Sequence, residues 1–187
     1  MDAERMTTIP AFKIRRAKCE DAHAIGEVHV ASWRTTYRGL GIDAFLDAAS
    51  ADERAEMWAR GLCNSESQSF NNSDNRSFVY VAVDDGRVVG FASGGPERSG
   101  DEEYRGELYA LYLLEAYQRR GIGSNLLGSV AARLAESGRT SMLAWVLADN
   151  PARYFYEACG GQIVRKQSIE FGGKMFDEIC YGWQNEE

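Results

Sequence analysis

One stretch of the sequence, residues 107–127, constrains the fold more than any other. It opens with an apolar run, Glu107–Leu114, that is typical of a central strand buried on both faces. A short polar turn with Arg119, Arg120 and a pair of glycines follows, and then an amphipathic helix begins. The start of a helix leaves backbone N–H groups without partners and carries the positive end of the helix dipole. The stretch therefore predicts a strand that leads into a phosphate-binding loop.

Two common phosphate-binding signatures do not fit this loop. A Walker loop requires a lysine after its last glycine, and no lysine lies near Gly121 or Gly123. A dinucleotide-binding fingerprint requires a third glycine where this chain has Leu126. Taken alone, the loop is equally compatible with a structural strand-to-helix turn whose arginines face solvent.

Length and charge limit the class of protein. A chain of 187 residues fits one domain, and we assign residues 12–187 to it and residues 1–11 to a disordered or extended leader. The formal net charge of −7 argues against nucleic acid as a partner and is compatible with a cationic small molecule.

The termini and cysteines predict a cytoplasmic protein. The charged amino terminus does not resemble a signal peptide, and no apolar run is long enough to cross a bilayer, so we expect no membrane partner. The four cysteines are scattered and form no C-x-x-C pair, which indicates reduced thiols.

Apolar periodicity and turn residues predict an alternating order of strands and helices, which indicates a mixed sheet covered by helices. A helix with a Ser50–Glu53 capping box precedes a polar loop over 64–77, and Asp84–Arg87 forms a tight hairpin turn. The predicted strands are 12–16, 78–83, 88–92, 107–114, 141–147, 162–170 and 175–183. The predicted helices are 21–33, the helix that begins at Ser50, the helix that follows the phosphate-binding loop, and 150–159.

Two ordered motifs resemble a known family. The segment Gln118–Gly123 looks like the [QR]-x-x-G-x-[GA] pyrophosphate signature of GNAT-superfamily N-acetyltransferases, and Asn150–Gly161 is similar to that family's later segment, an asparagine followed by a tyrosine-bearing helix. The resemblance runs from about residue 12 to residue 183. It implies a mixed α+β fold, with a mostly antiparallel sheet of six to seven strands that splays in the middle and about four flanking helices.

The resemblance also implies acetyl-coenzyme A as the acyl donor, with no metal. Its pyrophosphate would bind the loop, and its pantetheine arm would pair with the preceding strand like an added strand. The residues implied in cofactor binding are Leu111, Tyr112, Leu113, Gln118, Arg119, Arg120, Gly121, Ile122, Gly123, Ser124 and Asn150.

For the chemistry, the resemblance implies Tyr156 as the general acid for the leaving thiolate and the backbone N–H of Leu113 as the oxyanion donor. Glu107 is the first candidate for general base, because it shares side-chain parity with the residues of the cleft. Tyr109 or a water molecule are the alternatives. The family's other acidic position is occupied by Trp145.

By the same analogy, Trp33 and Tyr37 lie near the acceptor pocket, where core packing is an equally good explanation. The resulting hypothesis is direct transfer of an acetyl group to a primary amine of a small molecule or peptide, in a ternary complex, by a monomer or homodimer. A catalytically weak acyl-coenzyme A sensor and a nucleotide-binding structural domain are the alternatives.

Overall fold

The computed structural model of the chain describes residues 12–67 and 77–184, except for the side chains of residues 64–67. Short 3₁₀ turns at Cys19–Asp21 and Glu115–Tyr117 connect the longer elements. In chain order these are β1 (Phe12–Arg16), α1 (Ala22–Tyr37), α2 (Asp43–Ala48), α3 (Ala51–Ser67), β2 (Phe78–Asp84), β3 (Arg87–Pro96), β4 (Gly106–Leu113), α4 (Ile122–Glu136), β5 (Ser141–Leu147), α5 (Arg153–Ala158), β6 (Gln162–Phe171) and β7 (Lys174–Gln184).

The strands form one sheet in the order β1-β2-β3-β4-β5-β7-β6. Every neighbouring pair is antiparallel except β4 and β5, which run parallel. These two strands pair only where Gly106–Leu108 lies beside Met142–Ala144, and beyond that point they diverge. The expected mixed, mostly antiparallel sheet that splays in the middle is therefore confirmed.

Helices cover both faces of the sheet, because alternate residues of the strands are apolar on each side. On one face Leu108, Ala144 and Tyr181 pack against Leu126 and Val130 of α4. On the other face, α1 and α3 pack over a cluster that includes Ile25, Leu62, Val81 and Phe91. We call these the α4 face and the α1 face.

Several local predictions hold and others do not. Asp85 and Gly86 have φ angles of 45° and 78°, as a type I′ turn requires, so the hairpin at 84–87 is confirmed. The described part contains five α-helices, in agreement with the expected number of about four, and the additional one is the short helix α2. The prediction of a polar loop over 64–77 was wrong at the start of that range, since α3 continues to Ser67. The leader and residues 68–76 lie outside the described residues.

The expectation of four reduced thiols was also wrong. Cys19 and Cys63 form a disulfide, with 4.7 Å between their Cα atoms, while Cys159 and Cys180 are free. The two bonded cysteines are 44 residues apart, and only the packing of α3 beside the turn before α1 brings them together. Over the described ranges, no helix combines the length and apolarity that a membrane span requires.

Close packing of α1 on α3 depends on Gly26. A Cβ atom at this position would lie 2.6 Å from the carbonyl oxygen of Ala51 and 2.7 Å from the backbone nitrogen of Ala55. We expect Gly26→Ala to lower the free energy of unfolding by about 1–3 kcal/mol, because overpacking forces backbone to shift. Gly61→Ala in α3 is the control, because nothing lies within 4 Å of its Cβ position.

In the control, alanine should raise the free energy of unfolding by about 0.5–1 kcal/mol through its better helix propensity. Urea unfolding followed by circular dichroism measures both variants. Equal effects of the two substitutions would contradict the close approach of the helices at Gly26.

Candidate active site

A β-bulge in β4 determines which residues face the site. The register with β3 shifts between Ser93 and Gly94, which leaves Tyr109 as an extra residue in β4. As a result Leu108, Leu111 and Leu113 all contact the α4 face, although their numbers differ in parity. The parity argument for Glu107 was therefore wrong.

The divergence of β4 and β5 opens a cavity of about 1110 Å³ that reaches both faces of the sheet. We call the part toward α4 and α5 the cofactor half, and the part toward α1 and the β3–β4 loop the acceptor half. The cofactor half is lined by Leu111, Leu113, Gln118, Arg119, Gly121, Gly123, Ser124, Asn150, Phe155 and Tyr156. The acceptor half is lined by Ser32, Thr35, Thr36, Tyr37, Arg98, Glu107, Tyr109, Tyr112, Trp145, Gln167, Phe171 and Glu178.

The start of α4 presents unpaired donors to the cofactor half. Gly121 precedes the helix with a φ of 80°, Arg119 has a φ of 58°, and no side chain caps the helix. The first intrahelical bond runs from the N–H of Asn125 to the carbonyl of Gly121, so the N–H groups between them have no intrahelical acceptor. A phosphate-bearing ligand fits this position, since it would accept those donors and interact favourably with the helix dipole.

The outer edge of β4 is open at the same cavity. The N–H of Leu114 donates to Val89 on β3, so the alternation of the strand points the backbone groups of Leu113 and Leu111 toward the gap. In agreement, the carbonyl of Leu113 accepts a hydrogen bond from Nε2 of Gln118 at 3.3 Å, not one from β3. An extended ligand can therefore pair with this edge.

Tyr156 lies on α5 with 7% of its surface exposed, against the rings of Phe155, Tyr181 and Trp183. Asn150 starts this segment by accepting a hydrogen bond from the N–H of Ala152 at 2.8 Å, although α5 itself begins at Arg153. Burial, and then the nearby Tyr112, raise the pKa of the Tyr156 hydroxyl well above its ordinary value. The phenol therefore stays protonated, as a general acid must be.

Tyr112 connects the strand to α1. Its hydroxyl accepts a hydrogen bond from Nε1 of Trp33 at 2.9 Å, and its ring stacks on His29 at 4.9 Å. Burial, and then the charge of Arg54, lower the pKa of His29 to about 4, so the stacked imidazole is neutral near pH 7. Burial also raises the pKa of Tyr37, whose hydroxyl interacts with the side chains of Tyr112 and Asn150.

Glu107 is held by an arginine that was not singled out from the sequence. The buried carboxylate accepts hydrogen bonds from Nε of Arg98 at 3.0 Å, from Nη2, and from the backbone N–H of the same residue at 3.2 Å. The Tyr109 hydroxyl donates to the carbonyl of Pro96 at 2.5 Å. Both candidate bases are thus hydrogen-bonded within the protein.

Most residues predicted for the site line the cavity, but three do not. Ile122 is buried in the core of the α4 face, and Arg120 lies over the ring of Tyr117. Trp33 lies behind Tyr112, against the rings of Phe45 and Phe171. Nowhere in the described ranges do three potential metal-binding side chains cluster.

Sequence reasoning missed Arg98, Ser32 and Glu178. Arg98 lies in a polar loop whose sequence carries no signal for a site, and Ser32 is one of several small residues on α1. Glu178 is one of the polar residues that alternate with apolar ones in β7, and it accepts a hydrogen bond from Gln167 at 3.0 Å. Their common location depends on strand pairing across the whole sheet.

A parallel strand pair that diverges, an open strand edge and an uncapped helix start fit the extended, phosphate-bearing donor that an acetyltransferase uses. Residues 42–161 match the family model described as the Acetyltransferase (GNAT) family. The chain is 40% identical over 171 residues to the uncharacterized N-acetyltransferase YuaI of Bacillus subtilis, with 91% of each chain covered. The chain therefore belongs to the GNAT family of acetyltransferases and is an N-acetyltransferase.

Solved structures show the same fold. The PaiA N-acetyltransferase from Thermoplasma acidophilum, in complex with coenzyme A, is 20% identical with a TM-score of 0.72, covering 93% of this chain and 99% of its own. The YncA protein of Salmonella typhimurium, solved with its cofactor acetyl-coenzyme A, is 22% identical with a TM-score of 0.64, covering 95% of both chains.

Proposed function

We propose that this protein transfers the acetyl group of acetyl-coenzyme A directly to a primary amine while both substrates are bound. The observation that carries the proposal is the single cavity between β4 and β5, which joins the cofactor half to the acceptor half. Acetyl-coenzyme A fits the cofactor half, because that half offers the unpaired N–H groups of α4 to a pyrophosphate and the open edge of β4 to an extended arm. The solved structures with coenzyme A and acetyl-coenzyme A support this choice of donor.

The proposed mechanism assigns a group of the protein or a water molecule to each proton that moves during the transfer. The N–H of Leu113 donates to the oxygen that becomes negatively charged when the amine attacks the thioester carbon. The buried hydroxyl of Tyr156 then protonates the departing thiolate. Because Glu107 and Tyr109 are both hydrogen-bonded within the protein, we propose that an ordered water takes the proton of the amine and passes it to Glu107.

The free cysteines do not favour a covalent acetyl-enzyme. Neither Cys159 nor Cys180 lines the cavity. Burial raises the pKa of the Cys180 thiol to about 12, so its nucleophilic thiolate is scarce near pH 7. Direct transfer from donor to amine needs no such intermediate.

Initial-rate kinetics test this proposal. With both substrates varied and thiol release measured, double-reciprocal lines should intersect, because both substrates occupy the enzyme together. Cys159→Ser should retain turnover within about twofold, since a residue outside the reacting groups contributes little to the barrier. Parallel lines would contradict direct transfer, and coenzyme A binding without turnover of any amine would favour the sensing alternative. Cytoplasmic location remains a prediction from the sequence.

A further inference from the structure

Arg98 is fixed at the edge of the acceptor half by contacts on two sides. Its Nε and Nη2 atoms bind the carboxylate of Glu107, and its guanidinium lies 4.2 Å from the centre of the Tyr109 ring. Tyr109 is itself held by its hydrogen bond to Pro96. Such a planar fork keeps a defined orientation, so little side-chain entropy remains to be lost when a further ligand binds.

The loop that carries Arg98 is also ordered by its own hydrogen bonds. The carboxylate of Glu97 accepts hydrogen bonds from the backbone N–H groups of Ser99 and Asp101. The carboxylate of Asp101 in turn pairs with Arg165 on β6. The acidic groups at 97 and 101 are thus used within the scaffold, and the arginine between them is presented to the cavity.

Two polar groups in the acceptor half keep unused hydrogen-bonding capacity. The Arg98 side chain is 63% exposed, against 5% for Glu107, and its Nη1 atom has no hydrogen-bond partner in the described part of the chain. Ser32 is 2% exposed, lines the same cavity, and its hydroxyl likewise has no partner there. Buried polar groups without partners are rare in native proteins, so the Ser32 hydroxyl is available to a polar group that enters the cavity.

We propose that the acceptor amine carries a carboxylate, as an amino acid does, and that Arg98 binds this group. The inference rests on the proposed acetyl transfer and names the class of its acceptor. The outer N–H groups of the guanidinium donate to the carboxylate, while the inner ones keep Glu107 in place. The guanidinium of Arg98 then orients the acceptor relative to the Glu107 carboxylate, which receives the proton.

Matched acceptors test the proposal, each set sharing one side chain: phenylalanine, phenylalaninamide and phenethylamine, and likewise leucine, leucinamide and isopentylamine. For the wild type, we expect kcat/KM to be about 10- to 100-fold higher for the acid than for the decarboxylated amine, the range of a charged hydrogen bond. The carboxamide should fall between them, because it accepts a hydrogen bond without carrying a charge.

Variants assign the preference to Arg98. Arg98→Lys keeps a positive charge beside Glu107 but loses the fork, and Arg98→Gln removes the charge while its amide can still donate a hydrogen bond to Glu107. Both should reduce the preference for the acid to about threefold or less while the amine is still acetylated, since a removed binding contact affects only the ligand that makes it. Thermal unfolding verifies that each variant is folded.

The outcomes separate the two hypotheses. Faster acetylation of the decarboxylated amines, or an acid preference that survives in both Arg98 variants, would overturn the carboxylate site while leaving acetyl transfer intact. Absence of turnover with every acid, amide and amine would instead refute the proposed function. A preference for the acid that disappears with Arg98 establishes the acceptor class.

Discussion

Replacing Tyr156 with phenylalanine is expected to lower kcat about 100-fold, the low end of general-acid effects. The substitution removes one hydroxyl and keeps the ring that packs on Phe155, Tyr181 and Trp183. Because the hydroxyl acts only when the thiolate leaves, the affinity for coenzyme A should change by less than about twofold. Steady-state thiol release measures kcat, and titration calorimetry measures the affinity.

The control is Tyr154→Phe on the same short helix. That side chain is 59% exposed, and its hydroxyl accepts a hydrogen bond from Arg153 at 3.0 Å. Tyr154 also lines the cavity, but its hydroxyl is held by Arg153 and the side chain is exposed, so we expect turnover to stay within about twofold. Equal losses in the two variants, or no loss at position 156, would remove Tyr156 from the mechanism.

The raised pKa of Tyr156 adds an expectation about pH. A general acid loses activity when it deprotonates, and burial keeps the pKa of this hydroxyl above its ordinary value of 10.0. Turnover of the wild type should therefore not decline as the pH rises toward 10, the ordinary pKa of a tyrosine. If kcat of the wild type falls on raising the pH already below pH 10, and this fall disappears in Tyr156→Phe, the burial of this group would be contradicted.

Replacing Gly123 with leucine is expected to weaken coenzyme A binding at least about tenfold, since each tenfold corresponds to about 1.4 kcal/mol of lost contacts. A Cβ atom at position 123 would lie 3.2 Å from Cε2 of Phe155, and the added side chain would stand in the first turn of α4. Either Phe155 moves or the helix start does, and both changes disturb the donors offered to the pyrophosphate.

Gly128→Leu is the matched control for that experiment. Gly128 lies in the same helix, and nothing lies within 4 Å of its Cβ position. Its calorimetric affinity for coenzyme A should equal that of the wild type, and any gain in helix stability should be common to both variants. If both variants bind coenzyme A equally well, the assignment of the loop before α4 as the pyrophosphate site is wrong.

Local signals in the sequence predicted the elements well. Asp85 and Gly86 specify a turn whose φ angles few other residues tolerate, and the hairpin is where they predict it. Gly121 likewise marks the start of α4, because it takes the left-handed conformation before the helix. In both cases, the residues that carry the signal adopt the conformation themselves.

The predictions that failed depend on contacts between distant parts of the chain. The bulge at Tyr109 is a property of the pairing of β4 with β3, so side-chain alternation in β4 alone placed Glu107 on the wrong face. The ion pair of Arg98 and the disulfide of Cys19 with Cys63 arise in the same way, because each requires two elements to be placed first. No local pattern marks such partners.

The short contact between β4 and β5 has a consequence for the integrity of the sheet. Three residue pairs, all between β4 and β5, form the only strand pairing that joins β1–β4 to β5–β7 in the described part of the sheet. Beyond these pairs, the backbone N–H and C=O groups on the outer edge of β4 have no neighbouring strand, so a molecule from outside the chain can form hydrogen bonds with them. A substrate that pairs with Leu111 and Leu113 thus serves as a removable strand. Each catalytic cycle would then assemble and dismantle part of the sheet, and the loaded protein would be the more rigid form.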